Sequence, residues 1–408
     1  MAESGFKHGY DCLMAELLML GLIKKKCPSV KAYCKALDKI PETALLTFTK
    51  LTHEKEFAKR GELYHGMKIV IPDGTKIAMS VSASVIDEYD VGQGHYPQAL
   101  GVGFFDLSTR TFCDFKLSHE KFGERYLALE HMKENKEKSL YLADAGYNGM
   151  AFIALAGLTN HEVLMPLKLS KLSKSMKGTR MRSKIVEIVL TSSHLIKYPE
   201  HKNLAGSILK VRLIRTRGTS KLSSQILITT LLDETQFTWQ ELSNLYRQRY
   251  LVELAFRHLK VQFKIEKIKK RKLSRIIKHL FAAVALYNLG ASLRNQMKAP
   301  SLFPESTGTK VYCLKFCLEK TITFCLAAIK PFWGIQKQLT IIFQALKSCY
   351  FTYRPWRSEP RICNTPASPF MGHKGIKKNK AIEIAVFLRQ EYLILNEFYE
   401  KLFARKTP

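Results

Sequence analysis

The chain changes hydrophobic period several times, and each change marks a boundary. Up to residue 62 the apolar positions recur at helical spacing. Ala15–Ile23 is one apolar block, and Val30–Leu37 and Ala44–Leu51 carry helical stripes between the breakers Pro28 and Pro41. From Met67 onward the spacing shortens. Met67–Ile71, Gly101–Leu107, Thr111–Leu117 and Ser139–Ala143 are rich in Val, Ile, Phe and Tyr and bounded by Gly, Asp or Ser, which predicts strands. Arg125–Lys136 and Gly149–Leu158 return to helical spacing, and Glu162–Leu167 predicts a fifth strand. A run of strands followed by alternating helix and strand predicts an α/β core over 63–165.

The texture changes again over 166–234. Lys168–Lys184 holds seven basic residues and no acid among Ser, Gly and Thr, and alternating segments follow at Ile185–Thr191, Ser207–Arg215 and Gln225–Leu231. This block reads as a β-rich insertion carrying a basic loop. One long helix is then predicted from Thr238 to Phe263. Thr238 and Glu241 are spaced as a capping box, with Phe237 and Leu242 as its hydrophobic staple. Residues 235–265 therefore read as the second part of the core. Over 266–408 helices are predicted at 274–296, Val311–Ile329, Trp333–Lys347 and Ala381–Phe403, with a Pro-rich basic arm, Tyr353–Lys380, before the last. In that last helix Leu388, Tyr392, Leu395, Tyr399 and Leu402 step as a short heptad seam, which packs on its own domain or on a second copy.

Charge narrows the function. The 408 residues carry 65 Lys+Arg against 35 Asp+Glu, a formal charge of +30. A surface this basic attracts polyanions, and nucleic acid is the commonest. A composition 46% hydrophobic and 25% charged is that of a globular protein, which sets global disorder aside. The longest uncharged apolar stretch, Leu280–Leu293, is shorter than the roughly 18–20 residues of a spanning helix, and no secretory signal opens the chain. No membrane partner is therefore expected. Nine Cys without CxxC spacing read as reduced thiols, as in a cytoplasmic protein. No GxxxxGK(S/T), GxSxG or HExxH is present, and the 12 His show no metal-ligand spacing, so none of those common chemistries is signalled.

Within the Thr238 helix, Tyr246, Arg249, Glu253 and Lys260 stand at offsets of 0, 3, 7 and 14. At about 100° per residue these fall within roughly 60° of arc, so one stripe carries a phenol, a guanidinium, a carboxylate and an ammonium. By itself such a stripe reads as a solvated face with pairs such as Arg249–Glu253. The spacing Tyr-x2-Arg-x3-Glu-x6-Lys, however, resembles the signature of bacterial insertion-sequence transposases of the DDE type, specifically the insertion-sequence-4 family. The resemblance covers about 65–265. It implies an RNase H-like catalytic core, a mixed sheet with flanking helices, interrupted by the β-rich insertion and framed by helical N- and C-terminal regions. It also implies one catalytic Asp after the first strand and another after the fourth, places held by Asp73 in IVIPDGT and Asp144 in YLADAGY. Taken alone, Asp73-Gly74 is a hairpin-turn dipeptide and Asp144 a strand-end cap. Asp87, Asp90, Asp106 and Asp114 are competing carboxylates in loop or hairpin positions. Two departures stand out: Tyr250 where the family usually has Trp, and Ala145 where it often has a basic residue.

The resemblance implies that Asp73, Asp144 and Glu253 are catalytic and hold Mg²⁺, two ions in all, with Mn²⁺ as a substitute. Hard cations take oxygen ligands, and two of them about 3.5–4 Å apart activate a water or a 3′-hydroxyl and stabilise the leaving oxygen. They also neutralise carboxylates that would otherwise raise one another's pKa. Tyr246, Arg249 and Lys260 would contact phosphates at the transposon end. Two basic segments add backbone contacts: Lys174, Lys177, Arg180 and Arg182 in the first, and Lys264, Lys267, Lys269, Lys270, Arg271 and Lys272 in the second. Residues 1–62 read as a helical DNA-binding region. The expectation is thus a nucleoid-associated bacterial transposase working as a homodimer on double-stranded DNA. Its rivals are a structure-selective nuclease on the same fold and a decayed copy that only binds DNA.

Overall fold

A computed structural model of the chain describes residues 28–89, 97–167, 181–216, 225–268 and 270–296, the single positions 14, 172 and 176, and the backbone of 313–316 and 350–353. At Lys267 and Gln296 only the backbone is described. Contacts divide the chain into two compact units, Met1–Tyr353 and Arg354–Pro408, and every described residue lies in the first.

The short-period segments assemble into one mixed sheet. Strands β1 (Lys68–Met79), β2 (Gln98–Asp106) and β3 (Thr111–His119) pair antiparallel in turn. β4 (Ser139–Leu142) lies parallel to β1 on its other side, and β5 (Glu162–Pro166) lies parallel to β4. β6 (Ser183–Val189), β7 (Ile208–Arg215) and β8 (Ile226–Thr229) extend the same sheet antiparallel beyond β5, giving the order 3-2-1-4-5-8-7-6. A two-residue strand, β9 (Lys267–Ile268), joins the end of β1. The chain is therefore α/β, and the segment between β5 and β8 widens the main sheet.

Strand β1 does not stop at Ile71 as its pattern predicts. It runs on through Pro72, Asp73 and Gly74, because the ladder with β2 continues unbroken from Val70↔Asp106 to Ala78↔Gln98. That ladder outweighs the local turn preference of Asp-Gly, so the hairpin-turn reading of this dipeptide is corrected. On the opposite side β1 meets β4 only over Lys68–Val70, and the two strands then part. The backbone of Lys68 faces β4, its N–H reaching Lys138 O at 3.1 Å. By alternation Pro72 faces the same way, beyond the last paired residue, where its missing N–H breaks no ladder bond.

Side chains alternate across the sheet into two cores. Ile71, Ile77, Phe112 and Phe115 pack with α6 (Trp239–Arg247), α7 (Tyr250–Gln262) and α8 (Leu273–Gln296) on one face. Val70, Phe104 and Tyr141 pack with α4 (Gly123–Glu134) and α5 (Met150–Leu158) on the other. The helical N-terminal pattern forms α1 (Val30–Lys39) and α2 (Glu42–Arg60), and α2 packs on α8 and β3. Asn288 of α8, fully buried, bonds both backbone groups of Phe112 at 2.8 Å and so satisfies the sheet edge at β3. α8 is long and apolar enough to cross a membrane by length and composition, but 61% of its apolar window is buried inside the fold, which is the placement of a core helix.

Two further expectations are corrected. The helix expected at Val311–Ile329 is absent at Cys313–Phe316, which forms strand β10 paired antiparallel with β11 (Tyr350–Tyr353). The segment mixes aromatic and β-branched neighbours, and strand pairing overrides its helical spacing. A short helix, α3 (Ala83–Tyr89), also places Asp87 where a loop was expected. Asp90, the arm, the last two predicted helices and the heptad seam lie outside the described residues.

Candidate active site

Asp73 sits where β1 and β4 diverge, and its parity with Ile71 and Ile77 turns it toward α7. Asp144 follows β4 by two residues, and its Oδ1 accepts the Gly146 N–H at 2.6 Å, capping a 3₁₀ turn at Ala145–Tyr147. The cap and the functional candidate are thus one residue. Glu253 lies in the first turn of α7, near enough for its charge to act on Asp73.

The helix that carries Glu253 is not the single rod its pattern predicts. Its start is as expected, with the Thr238 hydroxyl accepting the Glu241 N–H at 3.3 Å and Phe237 and Leu242 buried beside it. The path then tightens. Gln248 N bonds Leu245 O at 2.9 Å, Arg249 N bonds Tyr246 O at 3.0 Å, and Leu251 N bonds Gln248 O at 2.9 Å. These i→i−3 bonds split the rod into α6 and α7. Arg249 stands at the joint and its guanidinium donates to the Glu253 carboxylate. Glu253 and Lys260 stay on α7, two turns apart, while Tyr246 lies in the last turn of α6.

The electrostatics draw the scattered carboxylates together. Burial lifts the Asp73 carboxyl to about 7; Arg249 opposes the rise, and the charges of Glu124, Asp144 and Glu253 add to it. Burial likewise pushes the Tyr246 phenol up to about 12, against Arg249 and with Asp144. The competing carboxylates are accounted for elsewhere. Buried Asp106 accepts from the Ser108 and Thr109 hydroxyls and the Thr109 N–H, shaping the β2–β3 turn, and buried Asp114 pairs with Lys50 at 3.2 Å.

The other predicted contacts divide. Lys260 is paired with Glu266 at 2.7 Å, and Lys272 with Asp38 at 3.0 Å, where Arg275 also bonds. Arg182 lies over the Trp239 ring at 5.3 Å. Lys264 sits just past α7 with φ of 52°, Lys267 lies in β9, and Lys270 and Arg271 are exposed. Lys174, Lys177, Arg180 and Lys269 lie outside the described residues.

A family model described as "Transposase DDE domain" matches residues 64–289, more than half of the chain. The chain belongs to the transposase DDE domain family. A curated relative, transposase InsG for insertion sequence element IS4 of Escherichia coli (strain K12), is 22% identical over 199 residues. That match covers 48% of this chain and 43% of the relative, so the chain spans less than half the relative's length. Among solved structures, a piggyBac transposase synaptic complex with hairpin DNA matches at a TM-score of 0.36 and 9% identity, covering 69% of this chain and 52% of that one.

Members of the transposase DDE domain family generally use divalent metal ions. Among the described residues no three carboxylate, imidazole or thiol groups converge closely enough to hold one ion in this conformation. In this conformation Glu253 is held by Arg249 and Asp144 by the Gly146 N–H. The donor chemistry nevertheless fits a hard divalent cation. The cluster offers only carboxylate oxygens, one of them half-buried and raised first by that burial and then by the negative charge of its neighbours. Sequence reasoning missed one member of this transposase DDE domain's cluster, Glu124 at the start of α4. Its only sequence mark is a carboxylate directly after a glycine at a helix start, too common a pattern to single out.

Proposed function

We propose that this protein is a DNA transposase that binds the inverted-repeat ends of its own element, cuts them by cation-dependent hydrolysis and joins the freed 3′-hydroxyls to target DNA. The observation that carries the reading is the half-buried Asp73 at the divergence of β1 and β4, within electrostatic reach of Asp144, Glu253 and Arg249, on a chain of net charge +30. The sheet order 3-2-1-4-5, with β2 antiparallel and β4 and β5 parallel to β1, supports an RNase H-like core. β6 to β8 then form its insertion, and Tyr246, Arg249, Glu253 and Lys260 the insertion-sequence-4 signature.

In this reading Asp73, Asp144 and Glu253 hold Mg²⁺, two ions, replaceable by Mn²⁺. Bound there, the ions supply activation of a water or 3′-hydroxyl and charge stabilisation at the leaving oxygen. The chain's own side chains do the positioning. Arg249 takes a backbone phosphate through its forked donors, and in doing so gives up Glu253. Tyr246, next to it and protonated to about 12, donates its hydroxyl to a neighbouring phosphate. Lys260 and the exposed Lys270 and Arg271 extend the contact along the duplex, with Lys264, Lys267, Lys269 and the segment holding Lys174, Lys177, Arg180 and Arg182 as further backbone contacts, whereas Lys272 stays with Asp38. Two ends are joined together by two copies, in the bacterial cytoplasm. A transfer assay with oligonucleotides carrying the DNA that flanks this gene tests the proposal. Joined products are expected with Mg²⁺ and their loss in Asp73→Asn and Glu253→Gln. Cuts without joining point to a nuclease, and binding alone to a decayed copy.

A further inference from the structure

The two edges of the sheet are finished differently. At β3 the edge is covered, since α2 and α8 pack on the strand and Asn288 bonds both backbone groups of Phe112. At β6 it is open. Arg182 O accepts the Arg215 N–H at 2.9 Å just before the strand, and Leu190 N–H reaches Ser207 O at 2.9 Å just after it, so the even-numbered residues face β7. The backbone groups of Ser183, Ile185, Glu187 and Val189 therefore point away from β7, and among the described residues nothing bonds them. None of the strand's residues is buried. The usual guards of an open edge, a proline or a bulge, are absent from β6, whose ladder with β7 runs unbroken from Ser183↔Ile214 to Val189↔Ile208. On one face of this pair Ile185, Val189 and Ile208 are 46%, 58% and 60% exposed. Between them Glu187 pairs with Lys210 at 3.0 Å, which leaves the exposed row without net charge.

We propose that β6 is the surface through which two copies of this chain meet, the two strands pairing antiparallel about a two-fold axis at Val186. The inference rests on the two-copy reading above and gives it a surface. The register follows from parity. Residues directly opposite in an antiparallel pair share a face, and outward backbone groups must meet outward ones. An axis at Val186 sets Ser183 against the partner's Val189 and Ile185 against the partner's Glu187, which engages every outward residue of both copies. An axis at Glu187 would set two carboxylates opposite each other, a destabilising pair, and one at Ile185 would leave Val189 beyond the partner's strand. Charge selects the occupant. Two copies at +30 repel over most of their surface, so they approach best where that surface is neutral and apolar. The same neutrality makes the edge a poor seat for DNA phosphates. A two-fold contact of this kind closes on itself and runs the sheet of one copy into that of the other.

Sedimentation of the full-length protein over a range of concentrations, with no DNA present, tests the pairing. Wild type is expected to pass from monomer to dimer. Glu187→Pro removes an outward N–H and no bond to β7, so it should fold while weakening the dimer by about 10-fold or more. Two substitutions at Ile185 test the register, since both remove the same exposed side chain. Ile185→Glu sets a like charge opposite the partner's Glu187 and should weaken the dimer about 10-fold. Ile185→Lys sets an opposite charge there and should stay within about 3-fold of wild type. Equal weakening by the two isoleucine variants overturns the proposal, as does a wild-type dimer in both Glu187→Pro and Ile185→Glu. If Glu187→Pro fails to fold, the isoleucine variants decide alone. A dimer that none of the three weakens removes this surface and leaves the two-copy reading standing. A wild type that is monomeric without DNA overturns the inference and leaves the edge to a strand of another protein; the two-copy reading falls with it only if the protein stays monomeric on duplex DNA as well.

Discussion

Asp73 concentrates the conflict between stability and the proposed function in one side chain. Its carboxyl, ordinarily near 3.8, is lifted to about 7 by burial and by Glu124, Asp144 and Glu253. The cation-free native state therefore keeps a proton that the unfolded chain releases, and stability falls as pH rises from about 4 to about 7. At about 1.4 kcal/mol per unit the loss has an upper bound on the order of 4 kcal/mol. Asp73→Asn should accordingly raise the melting temperature at pH 8 in EDTA by several degrees, a gain that vanishes near pH 4; thermal melts across that range check it, and a gain independent of pH would contradict it. The neighbouring Gly74 makes a second claim. Gly74→Ala puts a methyl on the Glu124 carboxylate, the far end of a flexible side chain, so the cost should be about 1–3 kcal/mol. Adding Glu124→Ala should recover much of it in a urea double-mutant cycle. At this scale Asp73 was legible only through the signature at Tyr246–Lys260, since Asp-Gly by itself signals a turn. Glu124 was not legible, because nothing local says that α4 crosses the residue after Asp73.

At the scale of elements, caps and strands were legible and joints were not. The capping residue, the staple and the five core strands follow from local chemistry, while the split between α6 and α7 depends on tight bonds at Gln248 and Arg249 that no residue type announces. That joint sets a linkage. Arg249 is mostly shielded and Glu253 half exposed, so their ion pair contributes on the order of 1 kcal/mol. Arg249 cannot hold a phosphate and keep Glu253 fully engaged. DNA should therefore raise Mn²⁺ affinity about 5-fold in the wild type. In Arg249→Gln the DNA-free affinity should already sit at the higher value, with DNA changing it little. Titrations with and without duplex decide the matter, and an Arg249→Gln protein that still responds to DNA like the wild type would rule the coupling out.

For the whole molecule, the net charge points to a polyanionic partner but overstates how much of that charge is available. The same limit held for the sheet: segment order predicted α/β, whereas the joining of β6 to β8 onto β5 is a long-range pairing that no local pattern carries. Of the basic residues expected on DNA, Lys260 and Lys272 are paired with Glu266 and Asp38, and the Asp38 cluster with Lys272 and Arg275 ties α1 to α8. Asp38 is held down to about 2 by its bonds to Arg275 and Lys272, so its carboxylate stays ionised well below neutral pH. Arg271, in contrast, lies exposed on the same segment, as does much of the surface of Lys270, whose ammonium is lowered by partial burial and then by Arg275. Affinity for DNA falls by about 0.9 log units per log unit of salt for each phosphate neutralised. Lys270→Ala with Arg271→Ala should therefore flatten the salt slope by nearly 2, with the melting temperature unchanged. Lys272→Ala with Arg275→Ala should do the reverse, lowering the melting temperature while leaving most of the slope. Fluorescence anisotropy on a duplex between about 50 and 200 mM salt, paired with melts, distinguishes them. Equal flattening by both pairs would mean that the Asp38 cluster opens to take phosphate and that its lysine and arginine belong to the DNA surface after all.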